Sequence, residues 1–408
     1  MKIVHINTNS SGGGAAIAAR RHCIAMRTAG IDAKIVAYRG KEDEITTLYP
    51  YKKIPFFQHV KDSLTYRTSK TLVRNSSWTI ETSDFDISRC DVVRDADIIY
   101  VHWVAGYLGT GGIKNLLELG KPVVWYMHDM NPITGGCHYA FDCCGYKKDC
   151  SDCPELRCAK YIAERQLDNH SVWNKYPNLI GAAPSQWLTE CIRHSSVFRG
   201  HQVFCIPNVI DTDIFRPMDK TALRAKYHLP QDKNLIMFAS MGAHNRYKGS
   251  RYLVEVINRL SKESDYEFMV AGIGNVELFS LHAQKKIHSL GMISGEQQMS
   301  EIYNAADVYL ITSMAENFPN VIIECMACGV PAVGFKTGGI NDQINHKENG
   351  WIVEQEDTDG LIEGLKWVLN DADNRMLSNN ARQYVLSNCS YNKMTEIHRP
   401  VLSLSANK

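Results

Sequence analysis

ENFPNVIIECMACGVPAVGFKTGG, residues 316–339, places one carboxylate in a polar loop and a second inside an apolar run. Glu316 and Glu324 are separated by seven residues, and Ile323, Cys325 and Met326 flank Glu324. An ionised carboxylate is costly to bury unless it is paired or hydrogen-bonded, so this position predicts a ligand-facing residue. Upstream, DVYLITS (307–313) reads as a buried strand, which puts MAENFP at its carboxyl end, where open α/β sheets bind ligands. Proline suits a first helical position and asparagine a cap, so a helix is predicted from about Pro319 or Asn320. Backbone amides at such a start attract phosphate. Glu324, one turn in, can accept from both hydroxyls of a ribose beside a bound diphosphate. The bland alternatives are a solvated loop charge at Glu316 and a dipole-favoured charge at Glu324.

Outward from this stretch, strand-like and helical runs alternate, the pattern of a doubly wound α/β fold. KIVHIN (2–7), AKIVAY (33–38), DIIYVHW (97–103), PVVWYMHD (122–129), LIGAAPS (179–185) and QVFCIPN (202–208) read as strands of a first sheet, with a helix from about Ala15 to Ala29. NLIMFAS (234–240), YEFMVAG (266–272), KKIHSLG (285–291), DVYLITS and PAVGF (331–335) make a second series. Residues 41–95 are polar, aromatic-rich and hard to place; about Asp373 to Leu402 is helical in pattern. The expected organisation is an N-terminal domain at 1–205 with a Cys-rich insertion at 137–158, a linker at 206–217, a second domain at 218–385, and a C-terminal helix at 386–408.

The 408 residues are enough for two cores. At 44% hydrophobic, 22% charged and net +1, the composition argues against a nucleic-acid footprint or a polybasic membrane patch. No apolar run approaches the ~18 residues of a spanning helix, and the N-terminus lacks a signal peptide's long apolar core. The expected location is the cytoplasm, with peripheral contact at the inner membrane face left open.

Residues 316–339 resemble the donor-binding signature of family-4 glycosyltransferases. The resemblance implies a GT-B fold, two Rossmann-like doubly wound domains facing a cleft, with a nucleotide diphosphate-sugar bound mainly by the second. It implies that Glu324 binds ribose, that Glu316 contacts the donor sugar or its leaving group, and that Phe318, Pro319 and Asn320 set the loop whose amides meet sugar and phosphate. In MGAHNRYKGSRYLVEVINRL (241–260), a basic loop leads into an amphipathic helix, and its cations would neutralise the leaving diphosphate. The family has Gly-Arg and then Lys-Gly; this chain keeps Gly242 and Lys248-Gly249 but has Ala243 at the arginine, leaving Arg246 as the nearest substitute. Gly272, in AGIGN (271–275), is expected near the nucleobase.

On the acceptor side, SSGGGAA (10–16) allows close backbone approach to a ligand at a helix start, and the family's equivalent loop singles out Gly13 and Gly14. His128, at the end of a predicted strand, can donate to a sugar hydroxyl or stabilise developing charge, and the family has a functional histidine at this type of position. The alternative for His128 is a hydrogen-bonded structural role. Most of the 13 cysteines fall in apolar or helical contexts as small hydrophobes. Cys137, Cys143, Cys150 and Cys153 do not: they follow one another in a polar loop, GGCHYAFDCCGYKKDCSDC, for which a structural zinc staple is the first expectation, with disulfides or free thiols as alternatives. This insertion resembles one in bacterial polysaccharide-assembly members of the family.

The predicted reaction is transfer of a sugar, with retention and without a catalytic metal, from a nucleotide diphosphate-sugar to a hydroxyl of a glycan or lipid-linked acceptor in bacterial surface polysaccharide synthesis. Glu316, Lys248 and His128 are the expected catalytic residues. A GT-B epimerase or hydrolase, or a non-catalytic sugar-nucleotide-binding scaffold, remains the alternative.

Overall fold

A computed structural model of the chain describes residues 1–49, 73–74, 78–81, 84–239, 246–271 and 276–405. It divides into two compact units, residues 1–209 with 394–408, and residues 210–393. The first boundary falls inside the Pro- and Asp-punctuated stretch 206–217.

Unit 1 is built on a seven-stranded parallel sheet in the order β3-β2-β1-β4-β5-β6-β7. Its strands are β1 (Lys2–Asn9), β2 (Asp32–Arg39), β3 (Thr46–Leu48), β4 (Ile98–Val101), β5 (Val123–Tyr126), β6 (Leu179–Ala183) and β7 (Gln202–Cys205). Side chains alternate across a sheet, and both faces here are buried. Val4, Ile6, Val36, Ile99, Val101, Val123 and Trp125 supply one face to the main core of the unit. The opposite face carries His5 on β1, Tyr100 on β4 and Tyr126 on β5, with His5 in register with Tyr100. Helix Gly14–Thr28 contributes the buried His22 and the segment from Met394 contributes the buried His398.

Unit 2 repeats the plan with six parallel strands in the order β10-β9-β8-β11-β12-β13. These are β8 (Asn234–Ala239), β9 (Tyr266–Ala271), β10 (Ile287–Ser289), β11 (Val308–Ile311), β12 (Ala332–Phe335) and β13 (Gly350–Val353). Leu235, Met237, Tyr309 and Ile311 enter one core, while Ile236, Phe238, Val308 and Leu310 enter the other. Both faces are covered, as a parallel sheet requires.

β3 and β13 were not anticipated. β3 is a three-residue edge strand, too short to show alternation. β13 begins at Gly350, where a Cβ would lie 2.3 Å from the Ala332 carbonyl oxygen, so close pairing with β12 demands the residue that weakens the strand signal. The C-terminal stretch forms helix Asn374–Asn388 and then only short helical turns at Met394–Ile397 and Arg399–Leu402.

Candidate functional site

In unit 2 the strand order reverses between β8 and β11, and open α/β sheets bind ligands at the carboxyl ends of such a pair. Two segments leave these ends and are bonded to each other. The Met314 and Ala315 amides donate to the Tyr247 carbonyl at 2.7 and 3.3 Å, and the Thr312 hydroxyl donates to the Lys248 carbonyl at 3.0 Å. Gly249 makes the approach possible. Its φ is +62°, and a Cβ would lie 1.9 Å from the Thr312 carbonyl oxygen. Helix Ser250–Leu260 starts directly after it.

That contact delivers the Lys248 ammonium to the Glu316 carboxylate, where the two form an ion pair. The Ser313 hydroxyl donates to the same oxygen, Oε1, at 3.1 Å, and the Gly339 amide donates to the Glu316 carbonyl at 3.3 Å. The lysine side chain keeps 43% of its surface while the glutamate keeps 11%. A buried carboxylate thus holds a half-exposed cation at the rim, a geometry suited to an incoming anion.

Phe318 packs into the core, and the Gln343 side-chain amide donates to the Pro319 carbonyl at 3.2 Å. Helix Asn320–Ala327 follows, with Pro319 as its cap and Asn320 its first residue. Pro319 therefore stands one place earlier than its preference for the first helical position suggests. Glu324 is 7% exposed, and the Tyr303 hydroxyl donates to its Oε2 at 2.8 Å. Burial, reinforced by Glu324, pushes the Tyr303 phenol well above its usual value, so it remains a donor. Tyr303 escaped the sequence reading because its partner Glu324 lies 21 residues on, and Ser313, three residues before Glu316, because nothing in the local pattern marks it as a donor. Gly242, Ala243 and Gly272 lie outside the described residues, as does the side chain of Arg246.

In unit 1, Gly13 caps helix Gly14–Thr28 with φ +78°, a conformation that favours glycine, and Gly13 and Gly14 are exposed. His128 follows β5. A pocket at the carboxyl ends of β4 and β5 is lined by Glu81, His102, Trp103, Trp125, His128 and Asp129, among others. Asp129 is a scaffold for this pocket: its Oδ2 pairs with His138 Nδ1 at 2.6 Å and accepts from Trp103 Nε1 at 3.1 Å, while its Oδ1 accepts from the Asn131 amide at 2.9 Å. Burial works against the charge, but His138 and the amide hold the Asp129 carboxyl below its usual range; Asp129 in turn raises His138 against the effect of burial.

Behind His128 lies a histidine network with a faint signature in the sequence. Tyr100-x-His102 and Tyr126-x-His128 repeat at i, i+2 along and just beyond neighbouring strands, so all four residues share the face that also holds His5. His102 Nδ1 is 2.9 Å from His128 Nε2, and His102 Nε2 is 2.9 Å from His5 Nδ1. His22 is 3.0 Å from His398 and 3.1 Å from the Tyr126 hydroxyl. Burial first, and neighbouring histidines, push His102 and His22 well below the ordinary value; burial takes His128 to about 4 and His5 to about 3.

The zinc expectation for Cys137, Cys143, Cys150 and Cys153 is corrected. Among the described residues no group of three or more His, Cys, Asp or Glu is arranged to hold a metal ion. All these cysteines are free thiols, and Cys137, Cys150 and Cys153 are buried in the core of unit 1, Cys137 bridged to Trp78. Cys137 and Cys153 influence each other's ionisation, which raises the first thiol and lowers the second. Cys143 instead accepts from the Gly145 amide at 3.4 Å. The thiols fill space and pair locally.

The twin parallel sheets define the GT-B class of fold, and solved structures of that class align over essentially the whole chain. A sucrose-phosphate synthase from Thermosynechococcus elongatus superposes with a TM-score of 0.67 at 16% identity, covering 100% of both chains. The Anabaena protein HepE in complex with UDP-glucose superposes with a TM-score of 0.64 at 16% identity, covering 99% of this chain and 100% of that one. Residues 219–384, most of unit 2, match the family described as Glycosyl transferases group 1. N-acetyl-alpha-D-glucosaminyl L-malate synthase from Bacillus anthracis is 26% identical over 196 residues, 47% of this chain and 51% of that protein. The chain thus spans about half the length of the curated relative it matches.

Proposed function

We propose that the protein is a glycosyltransferase that moves a sugar from a nucleotide diphosphate-sugar to a hydroxyl of a glycan or lipid-linked acceptor, with retention at the anomeric carbon. The observation that carries this reading is the Lys248–Glu316 pair at the switch point of unit 2, with Glu324 buried in the helix that follows. The family match over the same residues supports it.

Lys248 meets the negative charge that builds on the leaving diphosphate, with Arg246 beside it in sequence as a second cation. Glu316 orients Lys248 and the donor sugar. Glu324 accepts from the ribose hydroxyls and also from the Tyr303 hydroxyl. Phe318, Pro319 and Asn320 shape the loop over the phosphates, and Gly242 and Gly272 allow close approach of nucleotide to backbone. Gly13, Gly14 and His128 of unit 1 serve the acceptor and the transferring sugar. In the reaction the bond from the anomeric carbon to the phosphate oxygen breaks. A bond to the acceptor oxygen forms on the same face, and the leaving phosphate oxygen takes the acceptor's proton. Charge neutralisation by Lys248 and Arg246 supports a route without a catalytic divalent ion.

The resemblance of the insertion at 137–158 to polysaccharide-assembly proteins supports a saccharide acceptor in bacterial surface polysaccharide synthesis, made at the cytoplasmic side with peripheral contact at the membrane. Among the described residues no helix is long and apolar enough to cross a membrane. Incubation with UDP-sugars and other nucleotide diphosphate-sugars, each with and without saccharide acceptors, tests the reading. Transfer requires an acceptor and gives a product of unchanged anomeric configuration. Rapid donor turnover without acceptor, or an inverted product, contradicts it.

A further inference from the structure

Three carbonyls of the loop that follows β11 are held by donors from further along the chain. The Gln355 side-chain amide donates to the Met314 carbonyl at 3.3 Å, the Gly339 backbone amide to the Glu316 carbonyl at 3.3 Å, and the Gln343 side-chain amide to the Pro319 carbonyl at 3.2 Å. In a trans peptide the carbonyl and the following N–H point in opposite directions, so a held carbonyl also aims the amide of the next residue. The Met314–Ala315 peptide shows the effect: Gln355 takes its carbonyl, and its N–H reaches the Tyr247 carbonyl, next to Lys248. Held in the same way, the Pro319–Asn320 peptide opens helix Asn320–Ala327, which carries Glu324.

Gln343 differs from the other two donors in what it gives up. Its side chain is fully buried. A carbonyl can only accept, so Nε2 must face Pro319, which fixes the orientation of the amide. Oε1 is then buried, and it has no hydrogen-bond partner among the described residues. Leaving a buried acceptor unpaired offsets what the Nε2 bond contributes. Nor does the Pro319 carbonyl depend on Gln343 for a partner, since the Ile322 amide donates to it at 3.2 Å. For stability alone, an apolar side chain of similar length would serve here as well or better. Gln355, by contrast, is exposed and bonds the Thr337 hydroxyl at 2.8 Å as well, and Gly339 contributes only backbone. A buried group whose demands are half met calls for an explanation other than stability. What this group holds is the start of the Glu324 helix.

We propose that Gln343 is a positioning residue for the nucleotide-sugar: it pins the Pro319–Asn320 peptide, so that the loop and the Glu324 helix meet the diphosphate in one conformation, at some cost in stability. This role rests on the loop being part of the donor site, the reading given above. Holding a binding loop in its bound form lowers the ordering cost of association without adding a contact to the ligand. Gln343 therefore acts through Pro319 and does not touch the donor.

Gln343→Met fills nearly the same volume and removes both the donor and the orphaned acceptor; Gln343→Leu does so with a shorter side chain. Calorimetric titration of the full chain with UDP, GDP, ADP and TDP, together with thermal unfolding of the unliganded proteins, tests the role. The Met variant is expected to unfold at or above the midpoint of the native chain. The Kd of whichever diphosphate the native chain binds is expected to rise about 3- to 10-fold in that variant, the worth of one hydrogen bond. In turnover, donor KM rises by the same factor while kcat changes less than about 2-fold. Unchanged affinity in both variants overturns the proposal. A fall in the midpoint of both variants overturns it too, because Gln343 then holds the fold and not the ligand site. The donor-site reading fails separately: if the native chain binds none of the four diphosphates, that reading falls and takes the role of Gln343 with it, whereas equal binding by native and variant chains removes only the role of Gln343.

Discussion

Glu316 and Glu324 differ in what each carboxylate already holds. Glu316 is committed to Lys248 and Ser313, so its charge works through the lysine; Glu324 has Tyr303 on one oxygen. Lys248→Ala is expected to lower kcat/KM about 100-fold or more, since it removes the cation aimed at developing phosphate charge, and steady-state kinetics with a matched donor and acceptor check it. Glu324→Gln keeps the shape but loses two acceptor sites, and calorimetry with a nucleoside diphosphate is expected to show binding weakened about 10-fold or more. Tyr303→Phe should move the same affinity less, by about 1 kcal/mol. Gly249→Ala has no accommodating conformation: the left-handed backbone alone costs about 1–2 kcal/mol, and the Thr312 carbonyl occupies the methyl's place. Chemical denaturation should register a loss beyond about 2 kcal/mol.

At the scale of elements, the buried histidine face of unit 1 makes an unusual demand. His5, His22, His102, His128 and His398 all have native pKa values depressed by burial, to about 3 or 4 where a value is defined. The unfolded chain binds protons at these residues below about pH 6.5, while the native state does not until far lower. The stability they contribute is therefore present above about 6.5 and is lost as the pH falls toward 4, by about 1.4 kcal/mol per pH unit for each histidine. His138 acts in the opposite sense: its raised pKa contributes below about 6.5 and fades as the pH rises through its native value. Thermal unfolding from pH 8 to 4.5 should show a steep acid loss, made shallower by His398→Gln relative to that variant's own value at pH 8. A flat profile contradicts the buried neutral network.

The strands of both sheets other than β3 and β13 were legible because fully buried parallel strands read as apolar runs bounded by turn residues. The donor loop was legible because a lone carboxylate in such surroundings demands a partner. What escaped depends on distant pairing. Tyr303 is 21 residues from Glu324, and His5 is 97 from His102. The cysteines misled for a related reason: their close spacing suggested a metal, but Cys137, Cys150 and Cys153 point into an apolar core and Cys143 caps a turn.

Over the whole molecule, the chain leaves unit 1 after Val209 and returns at Met394. The returning segment is part of that unit's core, since Met394, His398 and Val401 are fully buried and His398 bridges His22 to Tyr100. Deleting residues 394–405 should cost unit 1 several kcal/mol, at about 1.5–3 kcal/mol for each large buried side chain. Limited proteolysis should then cut unit 1 before unit 2; a pattern matching the intact chain opposes this assignment.

The central claim is that the Lys248–Glu316 site of unit 2 binds the diphosphate of a nucleotide-sugar. Calorimetric titration of the full chain with UDP, GDP, ADP and TDP, repeated on Lys248→Ala, tests it most directly. The account predicts saturable binding of at least one nucleoside diphosphate, weakened about 10-fold or more in the variant. No binding of any of them, or equal binding by the folded variant, contradicts it.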